Sequence, residues 1–377
     1  MQFRDLKRQY EALRPEIDQA LQRVLGSAHF IMGQEVSSLE DRLAQYVGVR
    51  HCVACASGTD ALRLAMMLAQ VGAGDAVFVP DFTFYATAEV VLAQGATPIF
   101  VDVDESTFNI DVEDLRRKIS QVRKESALSP KAVIAVDLFG LPANYWEVAR
   151  LTQDEGLLLV EDAAQGFGGS LDGQKACSFG SMAATSFFPA KPLGCYGDGG
   201  AFFTNDDDLA LQARSIIQHG KGSNKYDNVR LGLNSRLDAI QAAILHVKLD
   251  AFDSELNSVR QVAATYGKLL SQSVLKPVCP EGALSSWAQY TIRLADSHQR
   301  DHVKSVLASA GVPSMVYYPR PLHRLPVFAS LTASTICSHA DHLSNVVLSL
   351  PMHPYITSQE LQQVAAALNE ALTSYAQ

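Results

Sequence analysis

The chain has 377 residues, of which 47% are hydrophobic and 19% charged, and it carries a formal charge of −9 at neutral pH. That length and apolar content suffice for one large domain with a core of its own and a smaller second one. With no run of Lys and Arg, the composition argues against a surface built for nucleic acid or an anionic membrane, so an anionic ligand must be held by a local site.

The N-terminal stretch MQFRDLKRQYEALRPEI is charged throughout and lacks the apolar core of a signal peptide. No apolar run is long enough to cross a bilayer, and six scattered cysteines in mostly apolar surroundings fit reduced thiols, so a cytoplasmic protein is expected. Cys52 and Cys55 form a C-x-x-C, but without a second pair and inside a strand pattern it predicts neither a redox nor a zinc site, and no metal is expected.

Short β-rich runs then alternate with helical patterns: CVACA (52–56) before DALRLAMMLAQ, AVFVP (76–80) before ATAEVVLAQ, then TPIFVDV (97–103), AVIAVDL (132–138) and LLLVED (157–162). The runs show no polar alternation, which predicts strands covered on both faces in a parallel α/β sheet. SFF and GAFFTN read as two further short strands. After about Leu249 a long charged helical stretch, WAQYTIRL and two more helical patterns predict a small α+β domain. The expected division is a large domain over 1–249, with an N-terminal helix able to pack on the other, and a small one over 250–377.

Ligands of open α/β sheets collect beyond the carboxyl ends of the strands, so the residues there carry most of the functional signal. ASGTDAL (56–62) turns a strand into a helix through Ser57, Gly58 and Thr59; this suits a phosphate at a helix N-terminus, and equally an ordinary capped βα turn. It has neither the Walker A nor the G-x-G-x-x-G spacing. In LLLVEDAAQGFG an apolar strand ends in Glu161 and Asp162, with Gln165 following; a carboxylate at that depth needs a cation or strong donors, or serves as a helix cap. In TSFFPAKPLGCYGDGG, Lys191 lies between two prolines, five residues after Ser186. A lysine in low dielectric has its pKa lowered and becomes a nucleophile toward carbonyls, whereas a loop lysine that reaches solvent does not. A phosphate cradle, an acid for a ring nitrogen and an imine-forming lysine together match pyridoxal 5'-phosphate.

SGTDAL, DFTFYATAEV, EDAAQGFG, TSFFPAKPLGCYGDGGA and LGLNSRLDAIQAAIL resemble the successive motifs of the DegT/StrS family of nucleotide-sugar aminotransferases, which have the aspartate aminotransferase fold (fold type I). The resemblance runs from FRDLKRQYEAL to LSLPMHPY, nearly the whole chain. It implies that Lys191 forms the Schiff base with the cofactor and shuttles protons, Asp162 pairs with the pyridine nitrogen, Gln165 bonds the ring oxygen, and Gly58, Thr59 and Ser186 hold the phosphate. It also implies that Phe84 stacks on the ring and that Asn234 reaches the phosphate of the neighbouring subunit in a homodimer with shared sites. The residues alone would make Phe84 core and Asn234 a cap. L-Glutamate is the implied donor, with pyridoxamine phosphate as the intermediate form of the cofactor and a nucleotide-linked keto sugar as the acceptor.

FIMGQEV, WAQYTIR and LSLPMHPY, with the lysine motif, are most similar to enzymes that aminate C3 of UDP-2-acetamido-2-deoxy-3-oxo-glucuronic acid, on the way to diacetamido uronic acids of bacterial surface polysaccharides such as O-antigen. Arg236 and Arg320 are the candidates for a uronate carboxylate, though a salt bridge elsewhere would explain either, and Tyr317, Tyr318 and His323 complete the substrate candidates. Asp137 stands where relatives often have Ser or His, and Tyr317 where they often have His, which leaves amination of a UDP- or dTDP-linked 4-keto sugar as the alternative. A sugar dehydratase of this fold would replace Lys191 with His, a non-catalytic sensor would be expected to lose Lys191 or Asp162, and a NAD-dependent oxidoreductase would need the missing glycine fingerprint.

Overall fold

The computed structural model describes residues 1–224, 226–332 and 335–375. A seven-stranded sheet is built from β1 (His51–Cys55), β2 (Asp75–Pro80), β3 (Thr97–Val101), β4 (Ser129–Val136), β5 (Leu158–Asp162), β6 (Met182–Ser186) and β7 (Gly200–Thr204), in the spatial order β1-β7-β6-β5-β4-β2-β3. β3, β2, β4, β5 and β6 are parallel, and β7 runs antiparallel to both β6 and β1. The unalternating apolar runs are explained by burial on both faces: Val77, Phe78, Val79 and Ala132 through Ala135 are fully buried.

The predicted strands fall where their patterns place them, except that SFF is not one. The strand there is β6, which ends at Ser186. Phe187 turns into the core, and Pro189, with no N–H to donate, prevents the ladder from continuing. The change of character near Leu249 falls within a single helix, Ala239–Leu269, that runs from the sheet to the C-terminal region. That region pairs Tyr290–Arg293 antiparallel with Val347–Leu350 and covers them with helices Ser297–Ser309 and Ser358–Tyr375. No helix among the described residues is long and apolar enough to cross a membrane.

The register lines up the strand ends that matter. Val136 lies opposite Asp162, Asp162 opposite Ala184, and Gly200 pairs with Ser186 on one side and Cys55 on the other. The residues that follow Cys55, Asp162 and Ser186 therefore emerge at one edge of the sheet. The long helix is fastened to this edge by Phe252, which packs its ring 5.5 Å from that of Phe167, five residues beyond Asp162, and 5.7 Å from Tyr46. Phe252→Ala should lower the unfolding free energy by about 3–5 kcal/mol, the usual cost of emptying a buried aromatic site. Chemical denaturation checks this; a loss below about 1 kcal/mol would show that the contact does not hold helix to sheet.

Candidate active site

The edge opens into a cavity of about 710 Å³. Of the residues expected from the sequence, Gly58, Thr59, Phe84, Asp162, Gln165, Ser186, Lys191, Tyr317, Tyr318 and Arg320 line it. Asn234, Arg236 and His323 do not.

At one end, Ser57 caps the helix Gly58–Leu68 by accepting the N–H of Asp60 at 3.1 Å. The first N–H groups of that helix have no intrahelical acceptor, and the helix dipole makes them a site for a dianion. The pairing of β1, β7 and β6 presses Ser186 against this turn. A Cβ on Gly58 would lie 2.6 Å from Cβ of Ser186, and one on Gly200 would lie 2.4 Å from the carbonyl carbon of Ser57, so only glycine permits the approach at either position.

The Asp162 carboxylate is buried. Thr87 donates to its Oδ2 at 2.8 Å and the N–H of Ala164 to its Oδ1 at 3.2 Å. Burial raises its pKa, while these donors and the positive charge of Lys191 pull it back. Gln165 is oriented by the N–H of Phe139, which donates to Oε1 at 2.7 Å, so its Nε2 donates to the hydroxyl of Tyr318 at 3.1 Å. Gln289 also lines the cavity, and its Oε1 is buried without a hydrogen-bond partner among the described residues.

Lys191 sits in a tightly closed loop. Its own N–H donates to Phe188 O at 2.8 Å, and a Cβ on Gly194 would lie 2.5 Å from Pro189 O. Two distant cations hold the loop from behind. Arg4 Nη2 donates to Lys191 O at 2.8 Å, and the buried Lys248 Nζ donates to Gly194 O at 2.6 Å. Lys248 lies 4.3 Å from the centroid of the Tyr196 ring, and burial pulls its pKa down to about 8. Burial also lowers the pKa of Lys191; Asp162 opposes that shift and Arg4 adds to it. The lysine is thus biased toward the neutral amine, the form that attacks carbonyls and takes up protons.

Phe84, half exposed, and Tyr318 form a wall with ring centroids 6.4 Å apart. His323 lies behind that wall. Its Nδ1 contacts Asp81 Oδ2 at 2.5 Å and its N–H donates to Asp81 Oδ1 at 2.8 Å, which ties the Tyr317–Arg320 segment to the end of β2. Cys337 joins these two in a buried group whose candidate ligand atoms lie within 4.8 Å of one another. The thiol donates to Phe100 O at 3.9 Å and burial holds its pKa far above that of an ordinary thiol, while the Asp81 carboxylate is met by the backbone N–H and the ring of His323. Asn234 is exposed on a surface segment, where Arg236 Nη2 donates to its Oδ1 at 2.5 Å. Arg4 and Lys248 carry no local signal for the site, since both reach it over long chain separations. Thr87 was discoverable, because it falls one helical turn after Thr83 in DFTFYAT.

A dianion cradle, a buried carboxylate, an amine biased toward neutrality and an aromatic wall on one cavity fit pyridoxal phosphate. The comparisons agree. The chain is 43% identical to UDP-2-acetamido-2-deoxy-3-oxo-D-glucuronate aminotransferase of Pseudomonas aeruginosa over 98% of this chain and 99% of that protein. It is 40% identical to UDP-N-acetyl-3-dehydro-alpha-D-glucosamine 3-aminotransferase of Acidithiobacillus ferrooxidans, over 98% and 97%. A crystal structure of a DegT DnrJ EryC1 StrS aminotransferase from Brucella abortus superposes with a TM-score of 0.96 at 45% identity, covering 98% and 99% of the two chains. NtdA of Bacillus subtilis, solved with bound cofactor PMP, matches at 27% identity and a TM-score of 0.87 over 96% and 82%. The model of the DegT/DnrJ/EryC1/StrS aminotransferase family matches residues 11–369, and the chain belongs to that family of pyridoxal phosphate-dependent sugar aminotransferases.

Proposed function

We propose that the chain moves an amino group from L-glutamate to C3 of UDP-2-acetamido-2-deoxy-3-oxo-glucuronic acid, in the synthesis of a diacetamido uronic acid for a bacterial surface polysaccharide. The observation that carries the uronate is Arg320: it lines the cavity and pairs with no carboxylate among the described residues. An arginine fork left open toward a ligand suits a planar carboxylate. Relatives named for a 3-oxo glucuronate and for a 3-dehydro glucosamine share the oxidised C3 and differ at C6, so the occupant of the Arg320 wall is what separates the two substrates.

When bound, the cofactor supplies an electron sink conjugated to the substrate nitrogen. Asp162 keeps a proton on a ring nitrogen by offering it a buried negative charge, and Thr87 and Ala164 hold that carboxylate in place. The helix start at Gly58 and Thr59, with Ser186, holds a dianionic phosphate. Lys191 Nζ takes the proton from the reacting carbon and returns it, acting as base and acid in turn. Phe84 and Tyr318 shield one side of the site from water. We assign Asn234 and Arg236, which lie outside their own cavity, to the site of a second subunit in a homodimer.

Thr87→Val preserves shape but removes one of the two donors to Asp162. It should weaken retention of pyridoxal phosphate by about ten- to a hundredfold, as expected for the loss of a hydrogen bond to a charged group. Equilibrium dialysis measures this, and unchanged retention would show that Thr87 does not support the carboxylate. The substrate reading is tested by amine incorporation from glutamate into UDP-linked 3-keto uronate, 3-keto-N-acetylglucosamine and 4-keto sugars. The uronate should be the best acceptor, and Arg320→Gln should raise its KM by about ten- to a hundredfold with little change for the 3-keto-N-acetylglucosamine. Inactivity on the uronate alongside turnover of a 4-keto sugar would overturn it.

A further inference from the structure

Behind Asp162 lies a second acid group that the reaction above does not use. Asp137, at the end of β4, and Glu161, beside Asp162 on β5, are both fully buried. Glu161 pairs with Ala135 across the sheet, which puts Glu161 and Asp137 on the same face of adjacent strands and within reach of a side-chain hydrogen bond; two carboxyl groups can share such a bond only if one carries the proton. The remaining hydrogen bonds tell which. Glu161 accepts an amide N–H at each oxygen, from Cys177 to Oε1 at 2.5 Å and from Phe179 to Oε2 at 2.8 Å. Asp137 accepts at Oδ1 only, from the hydroxyl of Tyr145 at 2.7 Å and the N–H of Ala143 at 3.2 Å. Its Oδ2 has no donor among the described residues. Gly166 closes over that oxygen so tightly that a Cβ there would lie 2.1 Å from it.

We propose that Asp137 is a neutral carboxylic acid whose Oδ2 proton is donated to Glu161, so that the two side chains together carry one negative charge behind Asp162. Asp137 is thereby a positioning residue for the carboxylate that anchors the cofactor. Its backbone N–H donates to Asp162 O at 3.0 Å, and its side chain packs under Gly166, so it braces both ends of the turn that carries Asp162 and Gln165. The titratable groups that face it are Tyr145 from the helix after β4, Glu161 and Asp162 from β5, and, on the far side of Glu161, Cys177. None is a cation, and no Lys or Arg forms an ion pair with Asp137 or Glu161 among the described residues. Two buried like charges in contact would have no compensation, which favours the shared proton. Burial pushes both pKa values up, and for Asp137 the charges of Glu161 and Asp162 add to it.

The direction of the pH effect follows. An acid whose pKa is raised by folding contributes stability that is fully present below its unfolded value, about 4, and is lost as pH rises toward the folded value. Asp137→Asn keeps the Oδ1 acceptor for Tyr145 and Ala143, places an N–H donor where the Oδ2 proton would be, and is uncharged at every pH. The location of the proton does not depend on the reading of Asp162; the effect on the cofactor does.

Three measurements test it. In the infrared difference spectrum between wild type and Asp137→Asn at neutral pH, taken with and without pyridoxal phosphate, wild type should show the C=O stretch of a buried protonated carboxyl that the variant lacks. No such difference band in either form overturns the proposal. Second, the melting temperature of the holoenzyme variant should rise relative to wild type between pH 5 and pH 8.5, because only wild type loses stability as its acid is driven to ionise. A stability difference that stays constant, or moves against the variant, as pH rises would show that folding does not raise the pKa of this acid and would overturn it. Third, Asp137→Ala, which removes the brace, should lower cofactor retention in equilibrium dialysis; a difference band together with unchanged retention in this variant would keep the proton on Asp137 and reject its role in positioning Asp162.

Discussion

A buried carboxylate at the end of β5 sets the terms for the site. Taking an ionised Asp162 out of water costs several kcal/mol unless donors and a cation meet it. Within the chain it has one hydroxyl, one amide N–H and, across the cavity, the amine of Lys191. That leaves it in need of a positive group in the cavity itself; in the function proposed above a protonated pyridine ring would supply it. The parallel sheet brings this about, because its register delivers Asp162, Ser186 and the Ser57 turn to one edge.

Lys191 must then be kept still, and the chain achieves this from outside the sheet. Arg4, at the very start of the chain, and Lys248, on the long helix, each donate to a carbonyl of the lysine loop. Their nearby counter-charge is Glu255, whose carboxylate is held by Gln9 at 2.9 and 3.0 Å and by Tyr355 at 2.6 Å. The N-terminal segment, the long helix and the C-terminal region thus meet in one polar network beneath the loop. Charges placed there hold the lysine backbone and at the same time disfavour a further positive charge on its side chain.

Much of this was legible in the sequence, and the failures have physical causes. The apolar runs gave the parallel strands because burial on both faces leaves a strong local signature. Lys191, Asp162, Gln165 and the Ser57 turn could be read because each lies at the end of a strand or in the loop that leaves it. SFF misled, since aromatic content alone does not form a ladder next to a proline. His323 looked like a substrate residue from its neighbours Tyr317 to Arg320, but a buried Asp81 holds it behind the wall. Arg4, Lys248 and the pairing of Asp137 with Glu161 had no local signal at all, because such contacts are set by how distant segments pack.

The most direct test of the central claim, that a charged Asp162 facing Lys191 makes the bound cofactor reactive, is the glutamate half-reaction of Asp162→Asn. With pyridoxal phosphate bound, wild-type protein should change its visible absorbance on addition of glutamate, and the variant should do so at least about a hundredfold more slowly, as expected when a charged interaction in the site is lost. An absorbance change in Asp162→Asn at the wild-type rate would contradict the account.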